Sequence, residues 1–532
     1  MEIRAQAALL IVVLGALAGC GGGGGDGRLG GANPSANSYT AGVFSAASSY
    51  ANQCAAPRAG TADRSGSTFA ENMFLRSWTN DTYLWYSEVP DTNPGSRTTA
   101  DYFDTLKTPL TTQSGRDKDR FHFTYSSEEW EQLSQAGVEV GYGAELLIVA
   151  SRPPRKLIIA FTEPGSPAAG QAIPRGAEIL MADGIDVVNA NTSAAVDQLN
   201  AALFPATVGE SHTFTIREVS GTQRSVTMSS VAVTHKPVMI STTIPQASET
   251  VGYILFNDHI ATAEAQLRNA ITTLSNTGID DLILDIRYNG GGYLDLASEL
   301  AYMIAGPANI AGRPFERLVF NDKHPTTDPV TGQPLTPTPF HSTAVGLPGS
   351  GVVAGSALPT LNLPRVYVIT SANTCSASES IINGLRGVGV DVYQIGSTTC
   401  GKPYGFYPTP NCGTTYFSIQ FEGRNASDFG AYPDGFSPQN SSVLGSVGLN
   451  GCSVADDFTH ALGDPAESRL ASALAFRASG NSNSSCPAAT GFAPESQLSS
   501  KTKVLNSTDG VMVKSPFREN RIVERPVSGI SF

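Results

Sequence analysis

Charged side chains are scarce in this sequence, 15% of 532 residues against a usual ~25%. Positive ones are the scarcer: 34 Lys and Arg face 47 Asp and Glu, for a net charge of −13. That leaves no basic field to attract phosphates, which excludes nucleic acid as a general partner. Long apolar runs are missing too. Past the first twenty residues nothing approaches the ~18 consecutive apolar residues of a membrane-spanning helix, so none is expected there. There is no Cys-x-x-Cys and no His-Glu-x-x-His, and His122, His212, His235, His324, His341 and His460 lack metal-ligand spacing. Neither a metal nor another cofactor is expected. What is plentiful is glycine and proline, 54 and 33 residues, about 16% against a usual ~12%, which points to long loops and tethers. A hydrophobic content of 41% still excludes wholesale disorder, and the length sets a soft prior of about two to four domains.

Seven cysteines are an odd number, and the N-terminus accounts for one. Ala7 to Leu17 is almost uninterruptedly apolar behind Arg4, too short to span a bilayer as a mature helix. It closes on Leu17, Ala18, Gly19 and Cys20, which resembles the lipobox of bacterial lipoproteins. That resemblance implies a signal peptide over 1–19 and a lipid on Cys20, anchoring the protein to a membrane of the bacterial cell envelope and facing the periplasm. Gly21 is not the Asp that retains such proteins at the inner membrane, so the outer membrane is expected. The alternative is an ordinary secretory signal with Cys20 incidental. In an oxidising compartment Cys54, Cys375, Cys400, Cys412, Cys452 and Cys486 could form up to three disulfides. Fifteen or so connectivities are open.

Residues 20–67, rich in Gly, Ala, Ser and Asn, read as a flexible tether. Order is expected from Phe69, where Phe69, Met73, Phe74 and Trp78 have helical spacing ahead of Tyr83, Leu84, Trp85 and Tyr86; residues 68–135 are taken as a small helical domain. Residues 136–236 alternate short strands with turns and one helix from Thr192 to Leu203. Their order resembles a circularly permuted PDZ domain of bacterial proteases. This implies capture of an extended peptide by strand addition, with its carboxylate on amides of Gly141, Tyr142, Gly143 and Ala144. Residues 237–480 run strand (Gly252 to Phe256), helix (Ala261 to Leu274), strand (Asp281 to Ile286), the signature of a parallel α/β core. Residues 306–363 interrupt it with many prolines, a loop expected to be functional or mobile. A last helix is expected after Asp464, with Pro465 at its first position and Glu467 completing a capping box. Residues 481–532 read as a weakly ordered tail.

Three pieces carry chemistry. Asp285 to Gly292 places consecutive glycines between a buried strand and a helix, where bare amides could hold an oxyanion. A phosphate cradle would need the Lys-Ser/Thr pair of a P-loop, and Tyr293 and Leu294 stand there instead. Thr374 to Glu379 sets Ser376 at a second strand-to-helix turn, its hydroxyl near a helix N-terminus. Gly401 and Lys402 follow one strand later. A serine hydroxyl needs a base, and a lysine serves only where burial brings its pKa down from ~10.4. The apolar neighbours Pro403, Tyr404 and Phe406 suit that. His259, just after a core strand, is a rival base.

With these motifs the chain resembles the C-terminal processing (tail-specific) serine proteases over about Phe69 to Ala478. The resemblance implies a ClpP/crotonase-like α/β protease core with an inserted PDZ-like domain and a small N-terminal helical domain. It further implies Ser376 as nucleophile, Lys402 as general base, the amides of Gly290 or Gly291 with Ala377 as oxyanion hole, and a polypeptide substrate. Members often carry a Gln four residues after the lysine; here that position is Phe406. A disulfide between Cys375 and Cys400 could hold the dyad together, or each could be a buried thiol or pair elsewhere. The competing reading is a peptide-binding lipoprotein on the same scaffold, with weak or absent catalysis.

Overall fold

The computed structural model describes residues 38–128, 130, 137–150, 152–441 and 443–491, with two short tail strands at 511–512 and 521–522. The signal segment, Cys20 and the first part of the expected tether, up to residue 37, lie outside the described residues. From Tyr39 on, the described residues form one compact unit.

Helix α1 (Thr68–Thr82) starts on Ser67, whose hydroxyl accepts from the Ala70 amide. It buries Met73, Phe74, Leu75 and Trp78 against Tyr102, Phe103, Leu106 and Tyr416. The chain ahead of it, expected as tether to residue 67, is fastened instead: Cys54 is disulfide-bonded to Cys412. Further on, Phe123–Ser126 pairs antiparallel with Thr414–Phe417, so the N-terminal region is built onto the core.

Next come β1 (Val138–Gly141), β2 (Ala144–Ala150), β3 (Lys156–Thr162), β4 (Glu178–Ala182), α2 (Ser193–Leu203), β5 (Ser211–Arg217), β6 (Gln223–Ser229) and β7 (Val231–Thr234). The sheet runs β6-β5-β4-β3-β2, while β1 pairs separately with β7. Alternating inward residues such as Phe214, Ile216, Val226 and Met228 meet Leu199 and Ala202 of α2 in a core of their own.

The main sheet consists of β8 (Val238–Gln246), β9 (Glu249–Phe256), β10 (Asp281–Asp285), β12 (Arg365–Thr370), β13 (Asp391–Gly396) and β15 (Gly451–Ser453), in that spatial order. Only β8 is antiparallel to its neighbour. Its central strands are buried on both faces, as the continuous Leu282, Ile283, Leu284 run requires. Helices α3 (Ala263–Thr277), α4 (Leu294–Ile310) and α5 (Ala377–Gly387) share one core, and α6 (Ser468–Ala478) packs in another with Ile283, Tyr367 and Ile369. The result is a mixed α/β fold.

Two expectations shift. Residues 306–363 do not form a bare loop: β11 (Pro314–Val319) pairs with β14 (Phe421–Arg424), and Phe315, Phe320, Phe340, Leu347 and Leu358 enter the main core. The amides of Gly346 and Leu347 donate to Glu264 and that of Val345 to Glu299, at 2.7, 2.8 and 2.7 Å. The expected tail is fastened in its first part, where Cys486 bridges to Cys452 and the Thr490 amide donates to Ser453 O.

Candidate active site

Two turns at the C-terminal edge of the parallel sheet, after β10 and β12, are laced together. Thr374 Oγ1 donates to Ile286 O at 2.9 Å, the Cys375 amide to Asn289 O at 3.1 Å, and Ser378 Oγ to the same carbonyl at 3.0 Å. Asn289 organises the first turn. Its Oδ1 receives the Gly291 amide at 3.0 Å and faces His259 Nδ1 at 2.9 Å, while its Nδ2 donates to Phe256 O at 3.0 Å. Gly292 has φ 128°, and a Cβ there would lie 2.4 Å from His259 O, so backbone contact with the His259 segment requires glycine.

Ser376 caps α5 with φ 60° and ψ −115°, a left-handed conformation that costs a non-glycine residue about 1–2 kcal/mol. Among the described residues its Oγ is buried and has no hydrogen-bond partner. The amides of Gly290 and Ala377 likewise make no hydrogen bond among the described residues, whereas that of Gly291 is taken by Asn289.

Lys402 is fully buried. Its Nζ lies 4.6 Å from the centroid of the Phe121 ring and 4.7 Å from that of Phe406. Its turn is anchored by covalent and polar means. Cys400 is disulfide-bonded to Cys375, and its amide donates to Thr374 O at 3.0 Å. Gly401 has φ 84° and would place a Cβ 2.4 Å from Pro433 O, which no other residue could accept. From the N-terminal region Arg116 Nη1 donates to Cys400 O at 3.1 Å and Arg120 Nη2 to Gly401 O at 3.2 Å.

Glu379 joins the two halves. Its buried carboxylate receives the amides of Ser376 (3.0 Å), Gly401 (2.8 Å) and Lys402 (2.7 Å) and the Thr399 hydroxyl. Burial pushes this carboxyl above its usual range, against the pull of those donors. The role of Glu379 was not read from the sequence, although the residue sits in the serine motif; a Glu three after a helix-capping Ser is the signal available. Asn289, Phe121, Arg116 and Arg120 were missed as well.

Arg287 extends the arrangement. Fully buried, it pairs with Asp285 at 2.8 Å, Glu467 at 2.8 Å and Asp456 at 2.7 Å. Arg175, between β3 and β4, reaches the same Asp456 at 2.7 Å and donates to Tyr288 Oη at 2.6 Å, connecting the smaller sheet to the glycine turn. In the Gly141 to Ala144 turn, the carbonyls of Tyr142 and Gly143 accept from Ala168 and Glu163 amides at 2.9 and 2.8 Å. The Tyr142 ring is turned inward, 5.4 Å from Phe214, with its hydroxyl on Ala202 O at 3.0 Å.

Among the described residues, three groups hold ligand atoms close enough to share an ion. Two consist largely of disulfide sulfurs, Cys54 with Cys412 and Cys375 with Cys400. The third is Glu145, Glu163 and His235, where His235 Nδ1 sits 3.0 Å from Glu163 Oε1.

Residues 250–406, which span the glycine turn, Ser376 and Lys402, match the family model of peptidase family S41. A curated carboxyl-terminal-processing protease of Picosynechococcus sp. (strain ATCC 27264 / PCC 7002 / PR-6) is 25% identical over 228 residues, 42% of this chain and 50% of the relative, so the match spans half of that relative's length. The crystal structure of an S41 protease from Bacteroides fragilis superposes with a TM-score of 0.56 at 23% identity, covering 77% of this chain and 97% of that one, which shows a shared fold. Over residues 250–406 the α/β core of this chain is thus similar to peptidase family S41.

Proposed function

We propose that the chain is a serine endopeptidase of the bacterial cell envelope that cleaves polypeptides through an acyl-enzyme. The observation that carries this reading is the buried, unbonded hydroxyl of Ser376 on a left-handed elbow, joined by the Cys375–Cys400 disulfide to the turn bearing Lys402. Ser376 Oγ bonds to the scissile carbonyl carbon as its proton passes to Lys402 Nζ. A fully buried lysine suits that role, because desolvation penalises the ammonium form. The carbonyl electron pair moves onto oxygen, where the amides of Gly290 and Ala377 are the donors left over to receive it. Lys402 returns the proton to the departing amine as the C–N bond breaks. Water then attacks the ester carbonyl as its proton passes to Lys402 Nζ, and the bond from the carbonyl carbon to Ser376 Oγ breaks as Lys402 returns that proton to Oγ, which releases the carboxylic acid and restores Ser376 and the neutral lysine.

The smaller sheet supports peptide capture by strand addition beside the Gly141 to Ala144 turn. Three disulfides suit an oxidising compartment, and a lipid on Cys20 would hold the protein at the membrane. Among the described residues no helix is long and apolar enough to cross one. A second reading, peptide binding without catalysis, draws on the missing hydrogen bond between Ser376 Oγ and Lys402. Catalytic hydrogen bonds are often long before substrate arrives, which favours the enzyme.

The test compares the unmodified protein with Ser376→Ala and Lys402→Ala on an unfolded protein substrate. Loss of cleavage in both variants is expected; equal cleavage by all three would sink the dyad, and no cleavage by any would favour the binding reading. Replacing Gly290 by Pro removes one oxyanion donor and is expected to lower kcat by ~10²-fold. For the anchor, Cys20→Ser is expected to release the protein from membranes, and retention would overturn it.

A further inference from the structure

Among the described residues, the main chain of the C-terminal segment meets the body of the protein at two places, one on the edge of the smaller sheet and one beside the glycine turn. Val511–Met512 pairs antiparallel with Leu147–Ile148 on the outer edge of β2, the strand that leaves the Gly141 to Ala144 turn. Arg521–Ile522 pairs in parallel with Gly292–Tyr293, directly after the glycine turn that holds the oxyanion donors, and lies beside Tyr404–Gly405, just past Lys402. Met512 and Arg521 are close enough in sequence for an extended chain to bridge ~30 Å. Charge favours the same placement: residues 501–532 carry six basic and three acidic side chains, a net +3, so the other residues carry −16 of the total −13.

The geometry points to the C-terminal segment of this chain as an intramolecular peptide ligand of its own substrate path. It fills the edge of β2 and the strand position beside the active site, and it competes with polypeptide substrates for both. This rests on the reading of that path as peptide-binding. A tethered ligand faces its site at an effective concentration of about 1 mM, so a segment that binds in trans with a Kd of ~10 µM would hold the path closed about a hundredfold.

The test uses the full chain carrying Ser376→Ala, so binding is read without hydrolysis. The probe is a fluorescent synthetic peptide of residues 506–525. Adding Val511→Pro, Met512→Pro and Ile522→Pro removes amide donors from both pairings. The probe is expected to bind this variant at least ~10-fold more tightly than the Ser376→Ala parent; equal affinity for the two proteins overturns the proposal. A second measurement does not depend on the proline variant. Ile148→Cys with Val511→Cys, opposite each other in the register, is expected to cross-link under mild oxidation, read by mass spectrometry of the unreduced digest. Failure of this pair to cross-link also overturns it. Because both readouts use the Ser376→Ala chain, they stand or fall apart from the question of catalysis.

Discussion

The Lys402 amide donates to Glu379 Oε2 at 2.7 Å, and the same oxygen receives the Ser376 amide at 3.0 Å. One carboxylate thus sets the main-chain separation of the two residues proposed to exchange a proton. A glutamine keeps the size of Glu379 but replaces one acceptor oxygen with an NH₂ group that faces donors. Glu379→Gln is expected to lower kcat by ~10²-fold with KM little changed, and to slow labelling of Ser376 by a fluorophosphonate. Unchanged labelling would limit Glu379 to a structural role.

The Cys375–Cys400 disulfide closes a loop of sequence separation 25, and chain entropy assigns such a loop about 3 kcal/mol. Cys375→Ser with Cys400→Ser is expected to lower the unfolding free energy by about 2–3 kcal/mol in denaturant titrations. It should also reduce kcat, because the turns bearing Ser376 and Lys402 are then held by hydrogen bonds alone. Full activity in the double variant would show that the Glu379 carboxylate suffices.

Arg287 is the sole cation in direct contact with both Asp285 and Glu467 among the described residues. Arg287→Met leaves buried carboxylates without their partner, and a loss of about 3–5 kcal/mol is expected from chemical denaturation. For Asp456 burial acts upward, but Arg175 and Arg287 more than offset it and hold the carboxyl below its usual range. A depressed carboxylate contributes stability above its unfolded pKa and loses it as pH falls through the folded value, so Arg287→Met is also expected to flatten the acid limb of the stability curve.

Glu299 has the opposite sign. Burial, and then the neighbouring Glu264, raise its carboxyl to about 9. The folded state therefore binds a proton that the unfolded state has released, and stability is full below the ordinary Glu range and declines as pH rises toward 9. Each pH unit in that window costs up to about 1.4 kcal/mol. Glu299→Gln is expected to remove the decline, read as a Tm that no longer falls between pH 5 and 9; an unchanged slope would place the titration elsewhere.

Short-range features were legible in the sequence because they are local. Glycines at Gly290 to Gly292 and Gly401, the buried Leu282 to Leu284 strand and the serine turn before α5 all follow from turn sterics and hydrophobic period. The α2 cap on Thr192 follows in the same way, its hydroxyl accepting from Ala195. The last helix shows where local reading stops. A capping box predicted its start at Asp464, yet α6 begins at Ser468 with Glu467 as its cap, because the Glu467 carboxylate is held by buried Arg287, 180 residues earlier.

The sequence by itself determined the order of elements, the two glycine-dependent turns and the candidate nucleophile and base, each a property of a few consecutive residues. Only the tertiary structure decided which carboxylate joins Ser376 to Lys402, which rings cover the lysine, how six cysteines pair and which strands Val511–Met512 and Arg521–Ile522 join. Those depend on chain topology bringing distant residues to one point, as Phe121 to Lys402 and Val511 to Ile148, and no local pattern carries that information.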